Sequence, residues 1–571
     1  MKITACCGAL LLAIPLFGFQ TDTHAAMLAG NPPVTRFTPD LDVYPQNFAI
    51  TEDRDAVIYV GNTNGVLVFD GGYWRLIKLP NRQEVRSLAY DGKSRIYVGG
   101  FNEFGYLVRD ASGRLVFHDL TPGIRGRLHD QQFAEIWTVK VTPTGVLFQA
   151  LQHLFLYNPA DGTIHLWRYA GRFGAIGTYH SHVFAQFRGE GFKYLDHDKW
   201  KMMPDGQLLD RHIYAYTPLA DGGMLLLATD GRWLEYNKGQ VSRFAVQSGI
   251  PSANYFSDGL KLADGTLALA SVDGYLYLLS PQGQLLRRIH VDDGYLSGIV
   301  VDSNGGLLVI GDHAVIHVEW PSAWTVLDAA EGLAGSLTKI VRWNSHWYVL
   351  TGFGVLENEG RTDGLPKFKH LDWSIQEAWD LLPIDGKTAL LADSYAMIEI
   401  HNGQARRITH QHLYPRVLLR SRYDKNVVYV GTSWGIAVLV DSNGTWKLRL
   451  DREDMQPLDA TSIVEAAPHT LWIGSQEGGV HLLKLSADNS KLLSDQRMGP
   501  EQGLDYGGDI AEATIFQLPD SRIVASTRAG EFLWKGGRFV PDDMGGLNQL
   551  HPAGQTLAFA NSRDGMWAYD Y

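Results

Sequence analysis

The chain has 571 residues, too many for one ordinary hydrophobic core, which indicates two or more domains or one large repeat array. Hydrophobic residues make up 45% and charged residues 20% of the sequence, a balance typical of a soluble globular protein. The net charge of −12 and the pI of about 5.9 argue against a nucleic-acid partner, because an acidic surface repels phosphate backbones.

The first 25 residues predict a secretory signal peptide and therefore a periplasmic location. Lys2 precedes an uncharged apolar run from Ile3 to Phe19, and Ala25 offers the small residue that a signal peptidase reads. An uncleaved membrane anchor is the weaker interpretation, because the run contains Pro and Gly and is short for a span of about 20 residues. Both cysteines lie inside this segment, so the mature chain is expected to form no disulfide, and no later segment is expected to cross a membrane.

A β-rich run that ends in a polar tip recurs along the rest of the chain. The run IYVGNTNGVLVFD (Ile58 to Asp70) is nearly copied by IYVGGFNEFGYL (Ile96 to Leu107). When the residue at which the first β stretch of each copy ends and its polar tip begins is taken as an anchor, thirteen copies are found, spaced by about 42 residues. The anchors are Gly61, Gly99, Gln149, Ala185, Ala228, Ala270, Gly311, Leu350, Ala392, Gly431, Gly474, Ala525 and Ala560.

A period of about 40–45 residues in a β-rich chain is typical of a propeller blade of four strands. Within each copy, short β-rich stretches are separated by turns such as Asp-Gly and Asn-Gly, which favour hairpins because both residues take positive φ. No long amphipathic helix is predicted. The expected fold class is therefore all-β, with two tandem β-propellers of seven four-stranded antiparallel blades each.

The anchors divide the chain into a signal peptide at 1–25, an N-terminal propeller at 26–325 and a C-terminal propeller at 326–571. Seven anchors precede the stretch Glu319–Ser336, whose Pro, Ala and Gly residues predict the crossing between the rings. Only six anchors follow, so the second ring is one blade short. Either the β segment Val34–Pro39 helps to close a ring, or the chain stops before its natural end.

Several repeat motifs resemble the two-component regulator propeller repeat, among them LWIGSQEGGVHLL (Leu471 to Leu483) and VVYVGTSWGIAVL (Val427 to Leu439). IYVGGFNEFGYL resembles the second blade of periplasmic sensor regions in one branch of that family. The resemblance implies a periplasmic ligand-sensing region with two seven-bladed propellers. Members of that branch continue into a tyrosine-rich sandwich, a membrane helix and a kinase, cyclase or DNA-binding output. None of these follows Tyr571, which is consistent with a truncated or split sensor, or with a soluble sensor that acts in trans on a membrane-bound kinase or cyclase.

In a propeller, the loop after the second strand and the loop leading into the innermost strand share one rim around a central channel. The polar and aromatic residues of these loops are the candidate ligand-binding residues, because amides, carboxylates, guanidinium groups and aromatic faces suit a small polar ligand or an oligosaccharide. For each residue, a solvated turn or a hydrogen bond that ties the loop is the competing interpretation. The candidates are Asn102, Glu103, His129, Gln131, Arg188, Glu190, Trp373, Glu377 and Trp434.

Motifs for catalysis are weak, so no catalytic residue, metal site or cofactor is predicted. The sequence lacks HExxH, G-x-S-x-G and P-loop motifs, and the His-x-His pairs at 180–182 and 410–412 have no third ligand at a characteristic spacing. A ligand-sensing protein that performs no reaction is therefore the leading hypothesis. The alternatives are an exported propeller lyase or hydrolase that acts on a polysaccharide, and a scaffold for protein interactions.

Overall fold

The structure, a computed structural model, consists almost entirely of antiparallel β-strands. It describes residues 30–128, 132–292, 294–322, 324–327, 329–362, 365–374, 376–410, 412–452, 458–542, 557–562 and 565–570. The signal peptide predicted at 1–25 and the candidates His129 and Gln131 lie outside these residues. The helical elements are α1 (Pro122–Arg125) and four single 3₁₀ turns at Gly206–Leu208, Ala253–Tyr255, Ala329–Glu331 and Pro500–Gln502.

The described residues divide into two compact units. The N-terminal unit contains residues from 30 to 326, together with 362 and 365, and the C-terminal unit contains the remaining residues from 327 to 570. No helix in the described part of the chain is both long and apolar enough to span a membrane.

The N-terminal unit contains 28 strands. In chain order they are β1 (Val34–Phe37), β2 (Asn47–Glu52), β3 (Ile58–Asn62), β4 (Gly65–Phe69), β5 (Trp74–Ile77), β6 (Val85–Tyr90), β7 (Ile96–Gly100), β8 (Phe104–Arg109), β9 (Leu115–Asp119), β10 (Thr138–Thr142), β11 (Gly145–Gln149), β12 (His153–Tyr157), β13 (Ile164–Arg168), β14 (Phe173–Tyr179), β15 (His182–Phe187), β16 (Gly191–Asp196), β17 (Lys199–Met202), β18 (Ile213–Pro218), β19 (Met224–Ala228), β20 (Trp233–Asn237), β21 (Gln240–Arg243), β22 (Phe256–Lys261), β23 (Leu267–Ser271), β24 (Tyr275–Leu279), β25 (Leu285–His290), β26 (Gly298–Val301), β27 (Leu307–Ile310) and β28 (Val315–Val318).

These strands form seven four-stranded sheets. Six sheets are consecutive meanders: β2–β5, β6–β9, β10–β13, β14–β17, β18–β21 and β22–β25. The first strand of each sheet contacts the first strand of the next sheet, and β26 contacts β2, so the seven sheets close into a ring. The first strand is therefore the innermost strand of each sheet, and the seven innermost strands surround a central channel.

The seventh sheet takes its outermost strand from the start of the chain. Its order is β1-β28-β27-β26, and β1 pairs antiparallel with β28 from Val34↔Val318 to Phe37↔Val315. The segment Val34–Pro39, which was expected to help close a ring, contributes β1 to the seventh sheet of the N-terminal unit. The seventh sheet therefore has four strands like the other six, and both ends of the unit's chain contribute to it.

The C-terminal unit contains 22 strands, which form five four-stranded sheets and one two-stranded pair. The strands are β29 (Leu337–Trp343), β30 (His346–Thr351), β31 (Gly354–Thr362), β32 (Leu365–Leu371), β33 (Ala378–Pro383), β34 (Thr388–Asp393), β35 (Met397–His401), β36 (Gln404–Arg407), β37 (Pro415–Arg420), β38 (Val427–Thr432), β39 (Ile436–Asp441), β40 (Trp446–Arg452), β41 (Ala460–Ala467), β42 (Thr470–Ser475), β43 (His481–Leu485), β44 (Leu492–Arg497), β45 (Ala513–Gln517), β46 (Ile523–Thr527), β47 (Gly530–Lys535), β48 (Arg538–Pro541), β49 (Leu557–Ser562) and β50 (Gly565–Asp570).

The predicted fold class, an all-β chain of four-stranded antiparallel propeller sheets, is confirmed. The thirteen repeat copies correspond to twelve four-stranded sheets and the pair β49–β50. Seven blades in the C-terminal unit remain a prediction.

At glycine anchors of the repeat, one sheet packs closely on the next. Eleven of the thirteen anchors are Gly or Ala. A methyl group at Gly61 in β3 would lie 2.7 Å from the carbonyl oxygen of Val85, in the innermost strand of the next sheet. A methyl group at Gly431 in β38 would lie 2.6 Å from the Cβ of Ala460. The small residue is therefore required by the approach of the neighbouring sheet, and the apolar residues on either side fill the space between sheets.

We expect Gly61→Ala to destabilise the N-terminal unit, because the added methyl group meets a backbone oxygen that cannot move independently of β6. The expected loss is about 1–3 kcal/mol in the free energy of unfolding. Gly126→Ala is the matched control, since Gly126 has φ of −67° and nothing lies within 4 Å of the added carbon. Urea unfolding followed by tryptophan fluorescence measures both variants, and equal midpoints would contradict the role assigned to the anchor.

Candidate ligand site in the N-terminal unit

A β-bulge recurs at the start of the innermost strands. The register between the first and second strands of a sheet skips one residue at Phe48, Arg86, Tyr214 and Ser257. A bulge leaves the extra residue unpaired and turns its side chain away from the direction of the regular strand. All four of these residues line one cavity, so the bulges direct side chains from four different sheets toward the same end of the channel.

The cavity has a volume of about 580 Å³. Besides the four bulged residues, its wall is formed by polar and aromatic side chains that include Trp137, Gln149, Arg188, His212, Tyr295 and Asp312. A second cavity of about 530 Å³ shares Phe48, Arg86 and Trp137 with the first and continues between the innermost strands. The first cavity therefore forms the mouth of the channel, and a volume in the range of about 300–1,000 Å³ suits a small ligand.

Arg86 is held against two aromatic rings at the channel mouth. Its guanidinium carbon lies 4.0 Å from the ring centre of Phe48 and 5.2 Å from that of Trp137. Its nearest carboxylate oxygen belongs to Glu84, at 3.7 Å from Nη2, and the buried Nε has no hydrogen-bond partner. The stacking fixes the orientation of the guanidinium group and leaves a donor of that group unsatisfied.

Arg188 is the second guanidinium group of the cavity, and it lies at the end of β15. Its Nη2 donates a 2.6 Å hydrogen bond to Nε2 of His212, while its buried Nε has no partner. Burial, together with the positive charge of Arg188, lowers the pKa of His212 to about 4, so the imidazole is neutral at physiological pH and can accept this bond. Burial and the nearby Arg172 also lower the pKa of Arg188.

The opposite wall of the mouth comes from the first and seventh sheets, which the ring closure brings together. Asn47 Nδ2 donates to the carbonyl oxygens of Gly311 and Asp312, at 3.0 and 3.2 Å. Ser297 Oγ donates to the carbonyl oxygen of Asn47 at 2.8 Å. These bonds fix the position of Asp312, which places one carboxylate in a cavity that also contains two guanidinium groups.

Deeper in the channel, Asp258 follows the bulge at Ser257 and faces the innermost strands of its neighbours. Its two carboxylate oxygens accept hydrogen bonds from the backbone nitrogens of Gly259 and Ile299, at 2.8 and 3.2 Å. Burial raises the pKa of this carboxyl group above its usual range, although the positive charge of Lys140 opposes the shift. Asp258 therefore links two neighbouring sheets below the mouth.

Arg188 is the one sequence-based candidate that the structure places in this cavity, within the described residues. Asn102 and Glu103 instead hold loops together. The Asn102 side-chain oxygen accepts from the backbone nitrogens of Phe133 and Ala134, each at 2.8 Å. Glu103 is only 2% exposed and accepts from the backbone nitrogen of Asn81 at 3.4 Å, and burial raises its pKa.

The remaining described candidates lie apart from one another. Glu190 accepts a 2.5 Å hydrogen bond from Lys193, and this bond lowers its pKa. In the C-terminal unit, Trp373 stacks on a tyrosine ring and donates to the carbonyl oxygen of Gly403 at 2.9 Å. The backbone of Glu377 accepts from a serine, and Trp434 is 44% exposed on the hairpin between β38 and β39. A ligand-binding role for these residues and for Asn102 and Glu103 remains a prediction.

Sequence reasoning missed Arg86, Trp137, His212 and Tyr214, all of which contribute to the cavity wall. A signal for them is present in the repeat. The bulged residue immediately follows the first residue of the innermost strand. It lies 13 positions before the anchor in the first two copies, as Phe48 precedes Gly61 and Arg86 precedes Gly99. The signal is weak because this position varies from copy to copy, and only the structure identifies it as the residue that turns into the channel.

The C-terminal unit carries a similar pair of side chains at two of its own bulges. Arg416 lies 3.8 Å from the ring centre of Trp379, and the register skips at both residues. Here the guanidinium group has partners, because Nε donates to Ser433 Oγ at 2.9 Å and to an Asp459 oxygen at 3.2 Å. The pair in the C-terminal unit is therefore neutralised, whereas Arg188 in the N-terminal unit has only a neutral imidazole as its partner.

Within the described residues, no group of three or more His, Cys, Asp or Glu side chains is arranged to hold a metal ion. The absence of a cofactor from the protein remains a prediction.

Comparisons with known proteins identify the fold. No protein-family model matches the chain, and no curated protein matches it in sequence. The extracellular domain of the putative hybrid two-component system BT3049 from B. thetaiotaomicron superposes with a TM-score of 0.67 at 12% identity, covering 94% of this chain and 76% of that one. The extracellular domain of the putative one-component system BT4673 from the same organism gives a TM-score of 0.40 at 9% identity, with the same coverage of both chains. Streptogramin B lyase gives 0.41 at 12% identity, over 51% of this chain and 98% of that one.

The likeness to the BT3049 domain, an extracellular domain of a putative hybrid two-component system, shows that the two chains share an architecture, so the predicted resemblance is confirmed at the level of fold.

His212 should make the N-terminal unit less stable in mild acid. Its pKa is about 4 in the folded protein and about 6.5 in the unfolded chain, so between these values only the unfolded chain binds the proton. Stability is therefore lost as pH falls from about 6.5 toward 4, and His212→Gln should lose less stability over that interval than the wild type. Urea midpoints at about pH 7.5 and about pH 5 test this.

The control for this measurement is His165→Gln, on the exposed side of β13, which should keep the wild-type loss between the two pH values. An equal loss of stability in His212→Gln and the wild type would show that protonation of the buried imidazole does not cause the loss at low pH.

Proposed function

We propose that this protein is an exported, periplasmic ligand-sensing protein that binds a small polar ligand in the cavity of the N-terminal unit and performs no reaction on it. The observation that carries the proposal is the channel mouth itself, where two guanidinium groups with unsatisfied buried nitrogens meet an aromatic side chain that is 45% exposed, Trp137. Unsatisfied donors beside an accessible aromatic face are typical of a preformed ligand site.

A ligand in this position would contact several sheets at once. Phe48, Arg86, Trp137, Arg188 and Tyr214 belong to the first five sheets of the ring, in that order. A molecule that bridges them stabilises the closed ring relative to any opened state, and its binding energy appears as added stability. Such a change in the rigidity of the unit is a signal that another protein can read.

The output of such a sensor would be supplied by a membrane-bound kinase or cyclase acting in trans, or by a further part of the same protein. The BT3049 structure is an extracellular domain of a putative hybrid two-component system, and its fold likeness to this chain supports a sensor role over that of a polysaccharide enzyme. Export to the periplasm is supported by the signal-peptide pattern of residues 1–25.

The test is a thermal-shift screen of the mature protein against neutral and acidic mono- and oligosaccharides, with product analysis of every sample that gives a shift. We expect at least one compound to raise the melting temperature and to remain chemically unchanged. A ligand at a hundredfold excess over its Kd adds about 2.7 kcal/mol of stability. Products released from a stabilising compound would instead indicate an enzyme.

Variants locate the site. Trp137→Ala should abolish the thermal shift, because the aromatic wall of the cavity is removed, whereas Trp324→Ala, a substitution of a 75% exposed tryptophan outside the cavity, should retain it. Loss of the shift in Trp434→Ala but not in Trp137→Ala would place the ligand in the C-terminal unit and contradict the proposed site.

A further inference from the structure

We infer that the cavity of the N-terminal unit selects a hydroxylated monocarboxylate, such as a sugar acid, over its neutral counterpart. This inference rests on the proposed function and specifies the chemistry of its ligand. It follows from the charges, the unsatisfied donors and the aromatic faces of the channel mouth, taken in turn.

The charge balance of the mouth favours an anion. Arg86 and Arg188 contribute two positive charges to the cavity wall, and Asp312 contributes one negative charge. Glu84, whose oxygen is 3.7 Å from the Arg86 guanidinium nitrogen, adds a second negative charge, and Arg172, which is close enough to Arg188 to lower its pKa, adds a third positive charge. His212 accepts a hydrogen bond from Arg188 without offsetting its charge, since the imidazole is neutral. One carboxylate would leave the cavity close to neutral.

The unsatisfied donors locate the carboxylate. Nε of Arg86 and Nε of Arg188 are buried and have no hydrogen-bond partner. A buried N–H without an acceptor is destabilising, and a carboxylate oxygen is the acceptor that a guanidinium group binds most strongly. The equivalent nitrogen of Arg416 in the C-terminal unit already donates to Asp459 and Ser433. In the N-terminal unit, a ligand carboxylate would take the role of Asp459 at the part of each guanidinium group that lines the cavity, because the Nε atoms themselves are buried.

The wall opposite the arginines determines which other groups the ligand carries besides its carboxylate. Asp312 can accept hydrogen bonds from hydroxyl groups and would repel a second carboxylate, which favours a monocarboxylate that carries hydroxyls. Trp137 and Tyr295 are 45% and 46% exposed, and both line the cavity. Their faces suit the flat C–H surface of a sugar ring, so a cyclic sugar acid fits better than an open-chain hydroxy acid.

The experiment measures the affinity of the full mature chain for five probes by isothermal titration calorimetry. The probes are D-galacturonate, its methyl ester, D-galactose, D-gluconate and benzoate. We expect galacturonate to bind at least about tenfold more tightly than its methyl ester and than galactose, because only the free acid forms charge-assisted bonds to the arginines. Gluconate should bind more weakly than galacturonate, and benzoate, which has no hydroxyl groups, should bind more weakly still.

Three variants assign the preference to the cavity. Arg188→Gln and Arg86→Gln should each reduce the ratio of acid to ester affinity by about tenfold, while Arg86→Lys should keep part of it because the charge remains. Arg416→Gln is the matched control, since it also removes a guanidinium group stacked on an aromatic ring, and it should leave the ratio unchanged. A cooperative urea unfolding transition in each variant establishes that it is folded.

Each outcome decides between the two claims. If galactose or the methyl ester binds as tightly as galacturonate, and Arg188→Gln has no effect on the ratio, carboxylate selection is wrong while ligand sensing at this site stands. Equal binding of benzoate and galacturonate would overturn the hydroxyl requirement. A ratio lost in Arg416→Gln but kept in Arg188→Gln would place the selection in the C-terminal unit and overturn the inference. If Trp137→Ala leaves galacturonate affinity unchanged, the proposed site fails as well.

Discussion

The close approach of neighbouring sheets at one small residue per repeat is the constraint on which the rest of the structure depends. At Gly61 and Gly431, a single added carbon would come within 3 Å of the innermost strand of the next sheet. Sheets packed at this distance exclude water from the space between them, and an isolated four-stranded sheet cannot bury both of its faces. The N-terminal ring closes because each sheet meets its neighbour in this way, and because β1 completes the last sheet from the start of the chain.

The same packing explains why the proposed ligand site lies at the mouth of the channel. Tight contact between the second strand of one sheet and the first strand of the next leaves no room for a large side chain at the anchor itself. The bulge at the start of the innermost strand lies outside that contact. The bulged residue can therefore be large and polar, as at Arg86 and Tyr214. Where the anchor is Gln149, this residue lines the cavity, so a departure from the repeat coincides with the proposed site.

Two arginines stacked on aromatic rings at equivalent bulges show how one scaffold position can be used in two ways. Arg416 is satisfied by Asp459 and Ser433, so its charge holds the C-terminal unit together. Arg86 keeps a buried donor without a partner, and Arg188 has a neutral imidazole as its acceptor. The carboxylate of Asp459 stabilises the guanidinium group of Arg416. Within the described residues, Arg86 and Arg188 have no hydrogen bond to such a carboxylate, and a ligand acceptor would be needed to complete their hydrogen bonds.

The sequence by itself determined the all-β class, the thirteen repeat copies and the small anchor residues, because hairpin turns, strand periodicity and anchor spacing are properties of neighbouring residues. It left open the role of the segment Val34–Pro39, and of the ligand-binding candidates in the described part of the chain only Arg188 lies in the cavity. Only the tertiary structure decided which side chains meet, because closure of the ring brings together residues such as Asn47 and Asp312, which are 265 positions apart. A bulge directs each side chain by local geometry, but which partners it meets depends on how all seven sheets pack around the channel.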